Sequence, residues 1–269
     1  MSRPWILICP SSRGIGFHLT RHLLRTTRTP ILATTRSPDP SPLHTSLLSD
    51  LITPLDDPSG RLSVVPSVDV TSEPALISAS QRAASLFPPD HHHLHLSFCL
   101  PGILHVEKST SQINYNDALE TLKVNVLGPM MLMKHFVGYM PKKSTDMDLE
   151  GTELPKHAVW TNMGARVGSI GDNKLGGWYS YRSSKAAVHS LTRSLDRELS
   201  TRGGEKCMAV SYHPGTVKTE LSREFWGSVR NDVLMEPEVA VEEMARVVMG
   251  IGLERRGRCW DYKGEEVPP

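Results

Sequence analysis

The sequence predicts an α/β protein, a doubly wound parallel seven-stranded sheet between two helical layers, in one domain over residues 1–269. Two observations predict this three-layer α/β/α arrangement. Short β-branched or apolar runs alternate with helical patterns along nearly the whole chain, and right-handed crossovers then return each strand beside the last. A glycine turn at Gly14 and Gly16 joins the first apolar run directly to the first helical one, as a strand–turn–helix unit requires. There is no internal repeat and no sign of a second domain.

Trp5 to Cys9 reads as the first strand, and Gly14 to Arg25 as a helix with Phe17, Leu19, Leu23 and Leu24 apolar. Ile31 to Thr35 is the second strand. The Pro- and Ser-rich stretch Ser37 to Gly60 leaves room for a short helix around Leu43 to Leu51. Leu62 to Val68 is a third strand, Glu73 to Leu86 a helix, and Leu94 to Leu100 a fourth strand. Ala118 to Met140, crowded with Met and Leu, reads as one long helix, and 141–156 as an exposed connection. Ala158 to Asn162 is the fifth strand, Tyr179 to Leu199 a long helix, and Cys207 to Tyr212 the sixth strand. Pro237 to Ile251 is a further helix and Gly257 to Tyr262 the last strand.

Thirty Lys and Arg against 29 Asp and Glu leave a net charge of +1, which excludes a globally basic nucleic-acid binder. The apolar runs are a handful of residues long, far short of the ~20 a membrane helix needs, so no membrane partner is expected. Cys9, Cys99, Cys207 and Cys259 are widely spaced beside strands and read as reduced, buried thiols of a cytoplasmic protein. His91, His92, His93 and His95 read as a solvated loop, since no carboxylate or Cys completes a metal site; none is expected. Arg3, Arg13, Arg21, Arg25, Arg28 and Arg36 all precede the first acidic residue, Asp39. Such a start resembles a mitochondrial presequence, but its removal would take part of the fold, so these residues read as structural.

In open parallel sheets ligands bind beyond the carboxyl ends of the strands, so the functional residues are expected there. After the first strand comes Pro10-Ser11-Ser12-Arg13-Gly14-Ile15-Gly16, opening into a helix whose N–H groups can hold a pyrophosphate. The turn alone also fits an ordinary tight connection. Arg36 ends the second strand, where an NAD-selective site carries an acidic residue on the ribose. With Arg13 it suits the 2′-phosphate of NADP(H), because a guanidinium pairs bidentately with phosphate; two surface arginines are the alternative. Asp69, ending the third strand, is placed to accept from the adenine amino group.

Tyr181 and Lys185 stand four apart, on one face of a helix. A phenol with a pKa near ~10 needs a neighbouring cation to act as an acid–base group at neutral pH, and a lysine at this offset supplies one. Tyr179 has Ser183 at the same offset, which leaves Tyr181 as the candidate.

These segments resemble the one-domain short-chain dehydrogenase/reductases, in order and over essentially the full length. The resemblance rests on Arg13-Gly14-Ile15-Gly16, Asp69-Val70, Val124-Asn125-Val126-Leu127-Gly128, Tyr181-Arg182-Ser183-Ser184-Lys185 and His213-Pro214-Gly215-Thr216-Val217-Lys218-Thr219. Arg166 to Ile170 and the tail from Trp260 to Pro268 look most like the C-factor-like and carbonyl-reductase-like branch. The resemblance implies a Rossmann-type domain and an NADP(H)-dependent oxidoreductase acting on a small carbonyl or secondary-alcohol substrate. It makes Tyr181 the proton donor and has Lys185 lower its pKa and hold the ribose. Asn125 would hold a water of the proton relay. Ser12, Arg13, Gly14, Ile15, Gly16, Arg36, Asp69 and Val70 would bind the cofactor's adenosine and phosphates, and Pro214, Gly215, Val217 and Thr219 its nicotinamide end. Residues 216–236, with Phe225 and Trp226, would form a substrate lid. Helices 118–140 and 179–199 would pair in a homodimer or homotetramer.

Three departures stand out. Cys9-Pro10 replaces the Thr-Gly that opens the family's turn, and Cys99-Leu100-Pro101-Gly102 replaces Asn-Asn-Ala-Gly. The catalytic serine position, three before Gly168, is Ala165, next to Gly164; Ser169 is the hydroxyl that a shifted loop would bring instead. Arg166 is placed either to meet an anionic or carbonyl-bearing substrate or to be ion-paired. The departures keep a second reading open, a non-redox protein on the same scaffold: a regulatory or binding module, or a cyclase or isomerase.

Overall fold

The computed structural model describes residues 1–51, 58–227 and 233–269. Its main sheet comprises β1 (Arg3–Cys9), β2 (Ile31–Thr34), β3 (Leu62–Val65), β4 (His92–Cys99), β5 (Ala158–Met163), β6 (Cys207–His213), β9 (Cys259–Asp261) and β10 (Glu266–Val267). The strand order is β10-β9-β6-β5-β4-β1-β2-β3. Every pairing is parallel except β9 with β10. A pair of two-residue strands, β7 (Thr216–Val217) and β8 (Leu234–Met235), lies apart from this sheet.

Successive strand residues point to opposite faces, so the alternation in the sequence divides the core in two. Trp5, Leu7, Trp160 and Ala209 pack on one face with α3 (Glu73–Leu86), α5 (Gly128–Phe136) and α6 (Tyr179–Gly203). Ile6, Ile8, Phe98 and Val210 pack on the other with α1 (Gly14–Thr26), α2 (Ser41–Leu48) and α7 (Pro237–Gly250). The strand order reverses between β1 and β4, and the carboxyl ends of these strands form the crevice where such folds take ligands.

Four expectations are corrected. The sheet has eight strands, not seven, because Glu266 and Val267 add an antiparallel edge too short to show periodicity. The expected single helix 118–140 runs without a gap from Tyr115, but not as regular α-helix: α4 (Tyr115–Leu122) passes through a π turn over Lys123–Leu127 into α5. Pro129 is the cause: it has no N–H to give to the carbonyl of Asn125, and its ring would clash with that carbonyl in a regular helix. The histidine tract is not a loop, since β4 starts at His92 and buries His93 and His95. His93 links the Ser2 hydroxyl (3.0 Å) to His95 (3.0 Å), and His95 meets the Pro155 carbonyl at 2.9 Å. The short helix in the Pro/Ser-rich stretch is α2 at Ser41–Leu48, earlier than expected.

The four cysteines are buried and unpaired. Among the described residues no helix is long and apolar enough to cross a membrane, and no group of three or more His, Cys, Asp or Glu is placed to hold a metal.

Candidate active site

The turn after β1 closes tightly on the start of α1. A Cβ at Gly16 would lie 1.9 Å from the Pro10 carbonyl oxygen, so only glycine fits there. Gly14 has φ +53° and lies against the Thr219 side chain. No side chain caps α1 and its first turn holds no acid, which leaves the N–H groups of its first turn to face an anion. Pro10 thus replaces a glycine at a position whose carbonyl, rather than its N–H, does the packing. Arg13 and Arg36 are exposed beside this turn. The Asp69 carboxylate is held below the usual range by the N–H and hydroxyl of Thr71, with a smaller contribution from Arg36. Val70 packs on Gly128, where a Cβ would come within 2.9 Å of it. Ser12 is exposed and Ile15 half-buried in the same turn. An uncapped helix start, a glycine-only approach and two exposed guanidinium groups fit a phosphorylated dinucleotide.

At the other end of the crevice α6 presents Tyr181 and Lys185, both buried. The Lys185 ammonium lies over the Tyr181 ring, 5.6 Å from its centre, and donates to the Met163 carbonyl at 2.8 Å. Burial pushes Tyr181 up to about 12 and Lys185 down to about 8. The phenol is therefore protonated at neutral pH, and the lowering by Lys185 that the resemblance implies is not seen: burial alone sets the shift. Gly102, from the altered segment after β4, lies beside Lys185: a Cβ there would sit 3.6 Å from Nζ, an ordinary contact. Asn125, fully buried in the π turn, accepts from the Ile103 amide (2.8 Å) and donates to the Ile103 carbonyl (2.9 Å) and to Ser184 Oγ (3.0 Å). The π turn thus pins the loop after β4 to α6, one residue before Lys185.

Ala165 follows β5 and is nearly buried. The neighbouring Ser169 hydroxyl is engaged elsewhere, whereas that of Ser211 is buried without a hydrogen-bond partner. Ser169 Oγ accepts from the Asp172 amide (3.0 Å) and donates to the Pro269 oxygen (3.3 Å). Ser211 Oγ, from β6, lies where residue 164 would carry its side chain: a Cβ at Gly164 would meet it at 2.1 Å. Arg166 is ion-paired, each terminal nitrogen 2.8 Å from a carboxylate oxygen of Asp172 or Asp261.

Pro214, Gly215 and Val217 follow β6. Gly215 has φ +73°, and a Cβ on it would strike Met235 at 2.7 Å and Tyr262 at 3.0 Å. Val217 pairs with Met235, which makes β7 and β8 the stalk of the expected lid; residues 228–232 of that segment lie outside the described residues. Thr219 caps the turn Glu220–Phe225.

Sequence reasoning missed Glu107. It is 2% exposed, and its carboxylate accepts from the Ser180 amide (2.7 Å) and Ser180 Oγ (2.5 Å) at the start of α6. Its carbonyl accepts from the Trp178 amide at 2.6 Å. A lone Glu 73 residues before its partner leaves no local signal.

A model of the short chain dehydrogenase family matches residues 166–228. The C-signal protein of Myxococcus xanthus is 31% identical over 156 residues, covering 58% of this chain and 81% of that protein. A fission-yeast (Schizosaccharomyces pombe) protein named an uncharacterized oxidoreductase is 26% identical over 274 residues, covering 97% of this chain and 96% of its own. The NADPH-bound carbonyl reductase from chicken fatty liver has the same fold, with a TM-score of 0.79 at 23% identity over 100% of both chains. The likeness to the C-signal protein and the family match within residues 166–228, on a sheet ordered 3-2-1-4-5-6, together establish that the chain belongs to the short-chain dehydrogenase/reductase family of oxidoreductases.

Proposed function

We propose that the protein is an NADP(H)-dependent carbonyl reductase with Tyr181 as proton donor. One observation carries the reading: Tyr181 and Lys185 are buried one helical turn apart, at the same edge of the sheet as the glycine turn that fits a dinucleotide. Arg13 and Arg36 would take the 2′-phosphate, Asp69 and Val70 the adenine, and Ser12, Gly14, Ile15 and Gly16 the pyrophosphate. Pro214, Gly215, Val217 and Thr219 would cover the nicotinamide, which supplies the hydride when bound.

The remaining work falls to the chain. As a carbonyl is reduced, the Tyr181 O–H bond would break and its proton would go to the carbonyl oxygen, giving the alcohol. Lys185 holds the resulting phenolate electrostatically, and Asn125 keeps the relay on the π turn in place. Ala165 favours the second reading, a non-redox protein, because the hydroxyl that normally holds the substrate oxygen is missing.

Titration with NADPH and NADH, followed by cofactor fluorescence, tests the cofactor assignment; tight NADPH and weak NADH binding is expected. Tyr181→Phe should then abolish turnover of a simple ketone and leave NADPH affinity unchanged. No binding of either nucleotide, or no turnover of any carbonyl, would favour the non-redox reading. The buried thiols suit a reducing compartment such as the cytoplasm. Exposed Tyr115, Leu119 and Leu122 on α4 support a homodimer or homotetramer through 118–140 and 179–199, which light scattering on a Leu119→Asp variant would test.

A further inference from the structure

The wall beside Tyr181 is aromatic and is fixed from two sides. Trp178 has φ 50° and ψ 44°, directly after Gly176 (φ 63°) and Gly177 (φ 65°). A tryptophan keeps a left-handed backbone only where its surroundings hold it, and such strain gathers at functional sites. The holding groups are identifiable. The Glu107 carbonyl takes the Trp178 amide (2.6 Å), and the Glu107 carboxylate takes Ser180. Arg182 Nε donates to the carbonyls of Gly176 (3.2 Å) and Gly177 (3.1 Å).

So held, the half-buried indole stands edge-to-face with Tyr181, ring centres 6.1 Å apart at 80°. It also meets Phe225 of the 216–236 segment, at 5.1 Å and 51°. Four cations of the surrounding segments are engaged within the protein. Arg166 is bound to Asp172 and Asp261, Arg182 to three carbonyls, Lys218 to Glu236 and Arg223 to Glu220. A carboxylate-bearing substrate therefore finds no free guanidinium among them, and an apolar ring finds two aromatic partners.

We propose that Trp178 is a specificity-determining residue that, with Phe225, selects neutral aryl aldehydes and aryl ketones over aliphatic carbonyls and keto acids. The inference rests on Tyr181 being the proton donor only in its kinetic part. A substrate ring packed against the indole carries its carbonyl, one bond away, to the Tyr181 side, whereas an alkyl chain gains no such orientation.

The test compares wild type with Trp178→Leu, Trp178→Phe and Phe225→Ala, using NADPH with benzaldehyde, propanal and pyruvate. Binding of acetophenone in the presence of NADP⁺ is followed in parallel by quenching of tryptophan fluorescence. The ratio of kcat/KM for benzaldehyde over propanal should fall about tenfold in Trp178→Leu and in Phe225→Ala, and Trp178→Phe should recover most of it. Acetophenone affinity should fall in the same order. Unchanged ratios and affinities would overturn the inference and leave the reductase reading standing. A wild type that turns over no carbonyl, but whose acetophenone binding is lost in Trp178→Leu, would overturn the reductase reading and support the aromatic wall. Pyruvate reduced as well as benzaldehyde would overturn the proposed selectivity.

Discussion

Glu107→Ala is expected to destabilise the protein by about 3 kcal/mol and to slow turnover at least tenfold, while NADPH affinity stays within about twofold. The carboxylate accepts two hydrogen bonds, from Ser180 N at 2.7 Å and Ser180 Oγ at 2.5 Å, in a site where Glu107 is 2% and Ser180 7% exposed. Hydrogen bonds to a charged group are worth about 1.5–3 kcal/mol each, and a negative charge at a helix start adds about 0.5 kcal/mol. The carboxylate's own desolvation offsets roughly half of that sum. For a chain of this size about 3 kcal/mol corresponds to a fall of about 6–12 °C in the melting temperature. Turnover falls because Tyr181 follows Ser180 directly, and an ångström of drift at a reacting group costs about a hundredfold. Cofactor affinity is spared because the residues that fit its adenosine and phosphates follow β1, β2 and β3. Thermal melts and NADPH oxidation measure both effects, and Glu107→Gln, which keeps an acceptor for the Ser180 amide, should recover more than half of each. An alanine variant that melts within about 2 °C of wild type, or a glutamine variant no better than alanine, refutes the clamp.

Three further outcomes are expected. Ala165→Ser should raise kcat about tenfold or more on the same ketone, since a missing oxyanion donor typically costs ~10²–10³; an unchanged rate would mean that the substrate oxygen is already held. Arg36→Glu should weaken NADPH binding about thirtyfold or more and leave NADH unaffected, as read by fluorescence titration; equal loss of both would place Arg36 outside the phosphate site. Burial lowers His93 to about 4 and His95 to about 3 from an ordinary 6.5, so the unfolded chain binds more protons as pH falls below 6.5. Their contribution is intact above 6.5 and is lost toward the folded values, by about 2 kcal/mol per group at pH 5. Denaturant melts should show that loss, and a His95→Gln variant with the same acid sensitivity as wild type would count against it.

Much of the fold was legible because the signals that built it are local. The apolar runs of β1 and β6 and the apolar stripe of α1 are each decided within a dozen residues, and the layers follow from their order. What was missed depends on tertiary context. Glu266 and Val267 form a strand only because β9 offers an edge. His93 and His95 look solvated in sequence, yet they lie inside because β1 and β5 flank them and Ser2 and Pro155 satisfy their nitrogens. The π turn at Lys123–Leu127 had a readable cause in Pro129, which the apolar periodicity outweighed. At the site, the Tyr181–Lys185 spacing and the glycine turn were visible. The clamp of Glu107 on Ser180 and the seating of Trp178 join segments that only the fold brings together.

The three departures from the family pattern are unequal in their physical consequences. Pro10 stands where the turn uses a carbonyl, and the tight approach is made by Gly16, which no other residue could replace. Gly102 in the altered loop still lies beside Lys185, and Asn125 still ties Ile103 to α6. Ala165 is different, because the Ser169 hydroxyl is bound to the Asp172 amide and the Pro269 oxygen. The expected deficit is therefore in rate rather than in cofactor binding. A module with no proton to move would gain little from a buried ammonium at Lys185 held by one carbonyl, since desolvating such a charge costs several kcal/mol and an apolar residue would pack there more cheaply. That cost weighs toward a slow or narrowly selective reductase, and against a scaffold that has given up chemistry.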